Sequence, residues 1–327
     1  MNRESDRTEE PSKQPAPLTV GLVFGMTSFG SMLISIPWIL LPDTFFPFSK
    51  VSVIGFSIVS LVRLLLCLLV PLVFFTYTHR MQEERLLGQN PGGGAILLSF
   101  LIGSPTALIM VAAHNLIGRF FLVRDFEIAG PAFSFVSEDT SRSVRLLLFF
   151  VAFLLPVLLQ ELYFRGLLYS LLPRKTAGYQ RILLTAFLFA VFMLSPVDFV
   201  PFFFLGILLG YLRQATNSII CPIVTQIAML ITYTIFSRML PIQDMSSLDA
   251  AVDLDLSFQY PAIAALLISL LAFLPLLAQI RRTSKDAEPF ASQPPDAVTV
   301  RLREHFGWSF WLGLLFFAAV WVLLLRI

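Results

Sequence analysis

Residues 146–172 read LLLFFVAFLLPVLLQELYFRGLLYSLL, an apolar run interrupted by one acid, Glu161, and one base, Arg165. A helix needs about 20 apolar residues to cross the hydrocarbon of a bilayer, and this run exceeds that. A charge in lipid is costly, so ionisable groups in such a run mark internal pairs or functional sites. Glu161 and Arg165 stand four residues apart with the acid N-terminal, which sets them on one helical face within reach of each other. Paired, they neutralise each other. Two readings stay open at this level: a structural ion pair that locks the helix, or a polarised site.

The rest of the chain repeats the pattern. Of 327 residues, 57% are hydrophobic and 13% charged, and Phe alone contributes 33. Mean hydropathy is +0.80. A soluble domain carries about 25% charged residues, and one core cannot hide this much apolar surface. A soluble enzyme, a disordered chain and a disulfide scaffold are thereby excluded. The expected fold is all-α, a polytopic transmembrane helical bundle. A net charge of +2 argues against nucleic-acid binding. Cys67 and Cys221 sit in apolar runs and read as small hydrophobes.

Apolar segments fall at 18–41, 51–76, 95–118, 146–172, 182–195, 197–212, 219–239, 258–280 and 308–325. Two of them, 182–195 and 197–212, are short for a span and read as a helical hairpin sunk among its neighbours. About seven to nine spans follow. With the N-terminus in the cytoplasm, the inside loops hold fourteen Lys and Arg, against Lys50, Arg119, Arg124, Arg142 and Arg145 outside. That bias favours N-inside, in the plasma or inner membrane if the protein is bacterial. Residues 1–16 read as a disordered cytoplasmic tail, 17–143 as N-terminal membrane helices and 144–240 as a core block. Residues 241–280 read as an acidic outside loop and a membrane helix, 281–307 as a flexible polar loop and 308–327 as the last membrane helix. Asp244, Asp249, Asp253 and Asp255 match no EF-hand spacing and read as a solvated acidic loop.

Few other ionisable groups interrupt the apolar runs. Arg63 lies in the second and His114 in the third; Asp198 stands at the turn between 182–195 and 197–212. These three are candidates for a polar cavity. Arg63 has two readings, snorkelling to the interface or pairing with an acid such as Asp198. His114 reads foremost as a hydrogen-bonded structural histidine. Gly206 and Gly210 form a GxxxG, a device for close helix approach in lipid. Thr216-Asn217-Ser218 reads as the turn before the helix opened by Pro222.

The stretch Gln160-Glu161-Leu162-Tyr163-Phe164-Arg165-Gly166 resembles the first motif of the CPBP family of intramembrane endopeptidases, which includes the type II CAAX prenyl proteases and bacteriocin-processing proteins. The family writes it as two glutamates, three spacers and an arginine. Downstream order agrees over roughly 146–236: a Phe-rich segment (Phe189 to Met193), a Gly-Gly helix (Gly206, Gly210), a polar turn, and a helix with Pro222, Ile223 and Gln226. The core block 144–240 is therefore CPBP-like. What the resemblance implies is peptide-bond hydrolysis within the membrane, on a hydrophobic or lipidated peptide.

The chain departs from the family where that chemistry is done. Glu161, Arg165 and Phe189 are kept. The first glutamate is Gln160, the second motif's histidine is Met193, and the third motif's histidine and asparagine are Gln226 and Leu230. Gln160 accepts no proton as a carboxylate does, Met193 offers a weak thioether, and Leu230 donates nothing. Gln226 still donates a hydrogen bond. No metal or other cofactor is expected, because zinc or a hard metal wants His or carboxylate ligands. An ion-paired Glu161 is a poor base.

Three functional readings follow. The leading one is a pseudoprotease that binds a hydrophobic or lipidated peptide or another membrane protein. The second is an active endopeptidase with a shifted site, Glu161 as base and His114 as partner. The third is a transporter or channel component with Arg63, Asp198 and Glu161 along a polar path. No nucleic-acid partner is expected in any of them.

Overall fold

The structure is a computed structural model that describes residues 19–41, 53–78, 81, 83–122, 150, 154–172, 178–193, 199–239, 256–284 and 306–324. The expectations for the tail 1–16, for Asp198, for the four loop aspartates and for most of 119–145 and 281–307 lie outside the described residues.

Among the described residues every regular element is helical, and each apolar segment read from the sequence falls on helix. Helix α1 (Val20–Leu40) is followed by α2 (Val53–Leu64), which runs through a π-helical turn (Leu65–Leu69) into α3 (Val70–Thr78). A short α4 (Glu83–Leu87) precedes the long α5 (Gly93–Leu122). Helix α6 (Leu155–Glu161) continues as a π-helical stretch (Leu162–Leu168) and ends in one turn, α7 (Tyr169–Leu171). Then come α8 (Gly178–Phe192), α9 (Phe199–Thr216), α10 (Ile220–Met239), α11 (Leu256–Thr283) and α12 (Trp308–Leu324). Four of these contain segments long and apolar enough to cross a membrane: Val20–Pro37, Ile58–Thr78, Gly93–Ala113 and Phe199–Thr216. Three shorter apolar helices, Gly178–Phe192, Ile220–Tyr233 and Trp308–Val322, pack with them.

Helix α1 shows why this is a membrane bundle. Leu22, Met26, Phe29 and Leu33 recur at helical spacing and are exposed, whereas Thr27, Ser28, Ser31 and Ser35 are buried. Large apolar groups face out, and small polar groups face the neighbouring helices. In water that arrangement would be inverted; in lipid, small and hydroxylated residues form the interfaces because they permit close approach and hydrogen bonding. Thr19 caps the helix by accepting from the Leu22 amide at 3.2 Å.

Three close crossings hold the bundle. At α1–α12, a Cβ on Gly25 would lie 2.7 Å from the Ser309 carbonyl oxygen. The Phe24 ring packs there, tilted, against Phe310 and Phe317 with centroids 6.2 and 5.6 Å away. At α5–α10, the Thr225 hydroxyl donates to the Ser99 carbonyl at 2.9 Å, and the Ser104 and Thr232 hydroxyls pair at 2.9 Å. At α8–α9, Gly206 faces the Ala186 backbone and Gly210 faces Ile182, so the GxxxG does serve packing. The two helices pair as expected, but Phe199–Thr216 is longer than the segment read from the sequence and is itself long and apolar enough to cross a membrane.

The π-helical stretch sits in the middle. All of Tyr163 to Leu168 is buried, the pattern of a helix surrounded on every side. Tyr163 ties it to α1: its hydroxyl and that of Thr27 lie within hydrogen-bond reach of each other and of the Val23 and Cys67 carbonyls, at 3.2 and 2.9 Å, so their two protons serve two of these three contacts at a time. One buried neutral hydrogen bond contributes about 1 kcal/mol net. Tyr163→Phe is therefore expected to destabilise the bundle by about 1 kcal/mol without changing its oligomeric state, read from thermal unfolding in detergent. Cys67 and Cys221 are free and buried.

Candidate functional site

The motif residues converge, although they come from four elements. Glu161 closes α6, and its carboxylate has no exposed surface. Its Oε1 accepts from Nη1 of Arg165 at 2.8 Å, the ion pair read from the sequence, and from Nε2 of Gln226 on α10 at 3.0 Å. Arg165, in the π-helical stretch, also donates through Nη2 to the Gly206 carbonyl on α9 at 3.1 Å. Its guanidinium lies over the Phe189 ring of α8, 4.4 Å from the centroid. Phe189 is thus the apolar floor of the ion pair. A guanidinium is suited to this position because its edge donates while its face stacks.

A second pair stands beside the first. Gln160 Nε2 donates to Met193 Sδ at 3.8 Å. A thioether is a weak acceptor, so this contact is mostly packing. Leu230 lies one helical turn past Gln226 and is half-buried. The Glu161–Gln226 and Gln160–Met193 contacts thus join the positions that the resemblance equates with the family's two acids and two histidines. Three polar atoms of the cluster are buried without hydrogen-bond partners: Glu161 Oε2, Gln226 Oε1 and Arg165 Nε.

The other sequence candidates fall elsewhere. Helices α5 and α10 run in the same direction, Ser99 beside Thr225 and Ser104 beside Thr232. The backbone of His114 is ten residues beyond Ser104, about 15 Å further along the axis and away from Gln226; its side chain lies outside the described residues. Asp198 does too. Arg63 on α2 is half-buried, with its guanidinium carbon 5.2 Å above the Phe192 ring.

Arg213, one of the fourteen cations that the sequence assigns to inside loops, is buried at the end of α9. It donates to the carbonyls of Arg165, Arg85 and Leu87 at 3.4, 3.1 and 3.5 Å, and to Asn217 Oδ1 at 3.5 Å. The Gly88–Ser218 bridge adjoins it, with Gln89 N donating to the Asn217 carbonyl at 2.7 Å and Ile219 N to the Leu87 carbonyl at 2.9 Å. The φ of +77° at Gly88 and +46° at Asn217 shape these turns. Helix-end carbonyls carry partial negative charge, so Arg213 is stabilised by backbone rather than by an acid. A single sequence position next to a turn gives no sign of that.

Residues 142–232 match the protein-family model described as type II CAAX prenyl endopeptidase Rce1-like. The chain carries an Rce1-like domain. It matches no curated protein and no solved structure significantly. The matched segment contains Gln160, Glu161, Arg165, Met193 and Gln226, the residues that meet in space. Among the described residues no three of His, Cys, Asp and Glu stand together. Within the Rce1-like domain the motif positions supply one carboxylate and one thioether, a donor set that does not fit zinc or a hard cation. What the arrangement does provide is a neutralised, hydrogen-bonded polar centre inside an apolar bundle.

Proposed function

We propose that this membrane protein, CAAX-protease-like in its core, is a pseudoprotease: it keeps the family's scaffold, has lost hydrolysis, and holds a hydrophobic or lipidated peptide or another membrane protein. The Lys and Arg bias supports a cytoplasmic N-terminus. One observation carries the reading. The cluster's single carboxylate is spent on Arg165 and Gln226 with no exposed surface, and the neighbouring amide of Gln160 rests on a thioether. General-base catalysis needs a proton acceptor within reach of the nucleophile, and neither Gln160 nor Met193 is one. Losing one such group typically costs about 10²–10⁴-fold.

The test is a cleavage assay on the full chain in nanodiscs with a farnesylated CAAX peptide. No cleavage above the protein-free blank is expected. Turnover by the wild-type chain that Glu161→Gln abolishes would overturn the proposal. The fourfold replacement Gln160→Glu, Met193→His, Gln226→His, Leu230→Asn is expected to raise cleavage by about 10²-fold or more over wild type.

A second reading, hydrolysis from a shifted site at Glu161, is favoured by the unpartnered Glu161 Oε2 and Gln226 Oε1. Both belong to side chains that already meet through Gln226 Nε2 and Glu161 Oε1. Against it stand the commitment of Oε1 to Arg165 and Gln226 and the axial offset of His114.

A further inference from the structure

Three successive carbonyls at the end of the short helix α4 point into the bundle. The Arg85 and Leu87 carbonyls accept from Arg213 at 3.1 and 3.5 Å, and the Leu87 carbonyl also accepts from the Ile219 amide at 2.9 Å. Between them, the Leu86 carbonyl oxygen lies over Gly166, where a Cβ would be 3.3 Å from it. The last carbonyls of a helix have no partner within it and carry partial negative charge. Arg213 therefore caps α4 as a cation supplied by another helix. Five residues form no stable helix by themselves. Helix α4 depends on contacts of this kind: the Arg213 cap, the buried Leu86 side chain and the bridge from Gly88 to Ser218.

Arg213 also reaches the candidate site. Its Nε donates to the Arg165 carbonyl at 3.4 Å. Helical side chains lean towards the N-terminus while carbonyls point to the C-terminus, so Arg165 is held from both ends. Its guanidinium reaches back to Glu161 and to the Gly206 carbonyl, and its own carbonyl reaches forward to Arg213. Gly206 and Arg213 stand seven residues apart on α9, two turns along one face. Helix α9 thus grips Arg165 at two points, and it shares the second grip with α4.

We propose that α4 and the Gly88 strap form a lid on the Glu161–Arg165 centre, that the lid opens as a unit, and that Arg213 couples its opening to the ion pair. Coupling between two sites is reciprocal. Release of α4 takes the Arg85 and Leu87 carbonyls from a buried cation, leaving it Asn217 and the Arg165 carbonyl, and uncovers the backbone at Gly166. Loss of the ion pair frees the Arg165 backbone, and with it the Arg213 fork that caps α4. The lid carries Glu83, Glu84 and Leu87 exposed, so the state of a buried centre is transmitted to a surface. This device requires neither hydrolysis nor a particular ligand.

The Arg85–Leu86 peptide bond lies inside α4, and its carbonyl is the one that Arg213 holds at 3.1 Å. Trypsin cuts there only when the lid is open, and where opening is fast relative to cleavage the rate follows the open population. The experiment is limited trypsin digestion of the full chain in detergent, with fragments assigned by mass. Cleavage after Arg281 and Arg282, exposed at the end of α11, is the internal control. A Cβ at Gly88 would overlap Arg213 Nη1 and the Asn217 carbonyl, at a φ of +77°; Gly88→Ala is expected to speed cleavage after Arg85 about tenfold. Glu161→Gln, a change in the buried centre, is expected to speed it about fivefold or more with the control unchanged. Glu161→Leu with Arg165→Met, which strands no buried charge, is expected to give the same rise and guards against a folding defect in Glu161→Gln. In an Arg213→Met background, Glu161→Gln is expected to add nothing. The assignment is overturned if Gly88→Ala or Glu161→Gln leaves cleavage after Arg85 unchanged, or if the control sites speed up by the same factor. It is also overturned if Glu161→Gln keeps its full effect without Arg213.

Discussion

Glu161→Leu alone is expected to cost the bundle about 3–5 kcal/mol of stability, and Glu161→Leu combined with Arg165→Met to bring most of it back. Glu161 and Arg165 are both without exposed surface and meet at 2.8 Å. Removing the acid strands a guanidinium whose remaining partners are the Gly206 carbonyl and the Phe189 ring. Breaking a buried pair by deleting one partner costs about 3–5 kcal/mol, a large share of a typical stability of about 5–15 kcal/mol. Arg165→Met alone fails for the opposite reason. It leaves a buried carboxylate with only Gln226 as donor.

The double replacement removes both desolvation penalties at once. Apolar residues of similar volume in place of a buried pair are often neutral or stabilising. Met also keeps contact with Phe189 through its thioether. The measurement is a double-mutant cycle on the fraction of monodisperse protein surviving a heating series in detergent, with a coupling of about 6 kcal/mol or more expected, because two losses of about 3–5 kcal/mol vanish together. Singles that survive like wild type would show that water reaches this centre and that the pair is not locked. The expectation is steep because Gln226 and Arg165 both bind Oε1, so the carboxylate has no second anchor of comparable strength.

The same residues mark the boundary of what the sequence discloses. The helices are legible because lipid demands long apolar runs, and each such run is helix in the structure. The Glu161–Arg165 pair is legible because four residues is one turn. The GxxxG contact is legible because only small residues allow that approach. Contacts between distant segments are not: Gln226 reaches Glu161 across 65 residues and Gln160 reaches Met193 across 33. A resemblance can align those positions, but their hydrogen bonds depend on how α6, α8 and α10 pack. The π-helical stretch at Leu162–Leu168 is likewise silent, since its register comes from crowding by neighbours on every side rather than from a local signal. Arg213 illustrates a third kind of silence. Next to a turn, a cation looks solvated, and only the fold brings α4 and its Gly88 strap across to bury it.

Gly206→Val is expected to produce the second-largest loss, by two routes that meet at one atom group. A Cβ at Gly206 would lie 2.8 Å from both the Cα and the Cβ of Ala186. Backbone cannot rotate aside as a long side chain can, so α8 and α9 must separate. Overpacking of this kind costs about 1–3 kcal/mol. Separation also withdraws the Gly206 carbonyl from Arg165 Nη2, now at 3.1 Å, and tilts Phe189 away from the guanidinium above it. A hydrogen bond to a charged group is worth about 1.5–3 kcal/mol. Gly93→Val is the matched control, because nothing lies within 4 Å of a Cβ there; it is expected to stay within about 0.5 kcal/mol of wild type. The two routes separate in the Glu161→Leu/Arg165→Met background. There the carbonyl has no cation to lose, so Gly206→Val should cost only its packing share. An undiminished penalty in that background would mean the helix contact alone sets the cost, and that the Gly206 carbonyl contributes nothing to holding Arg165.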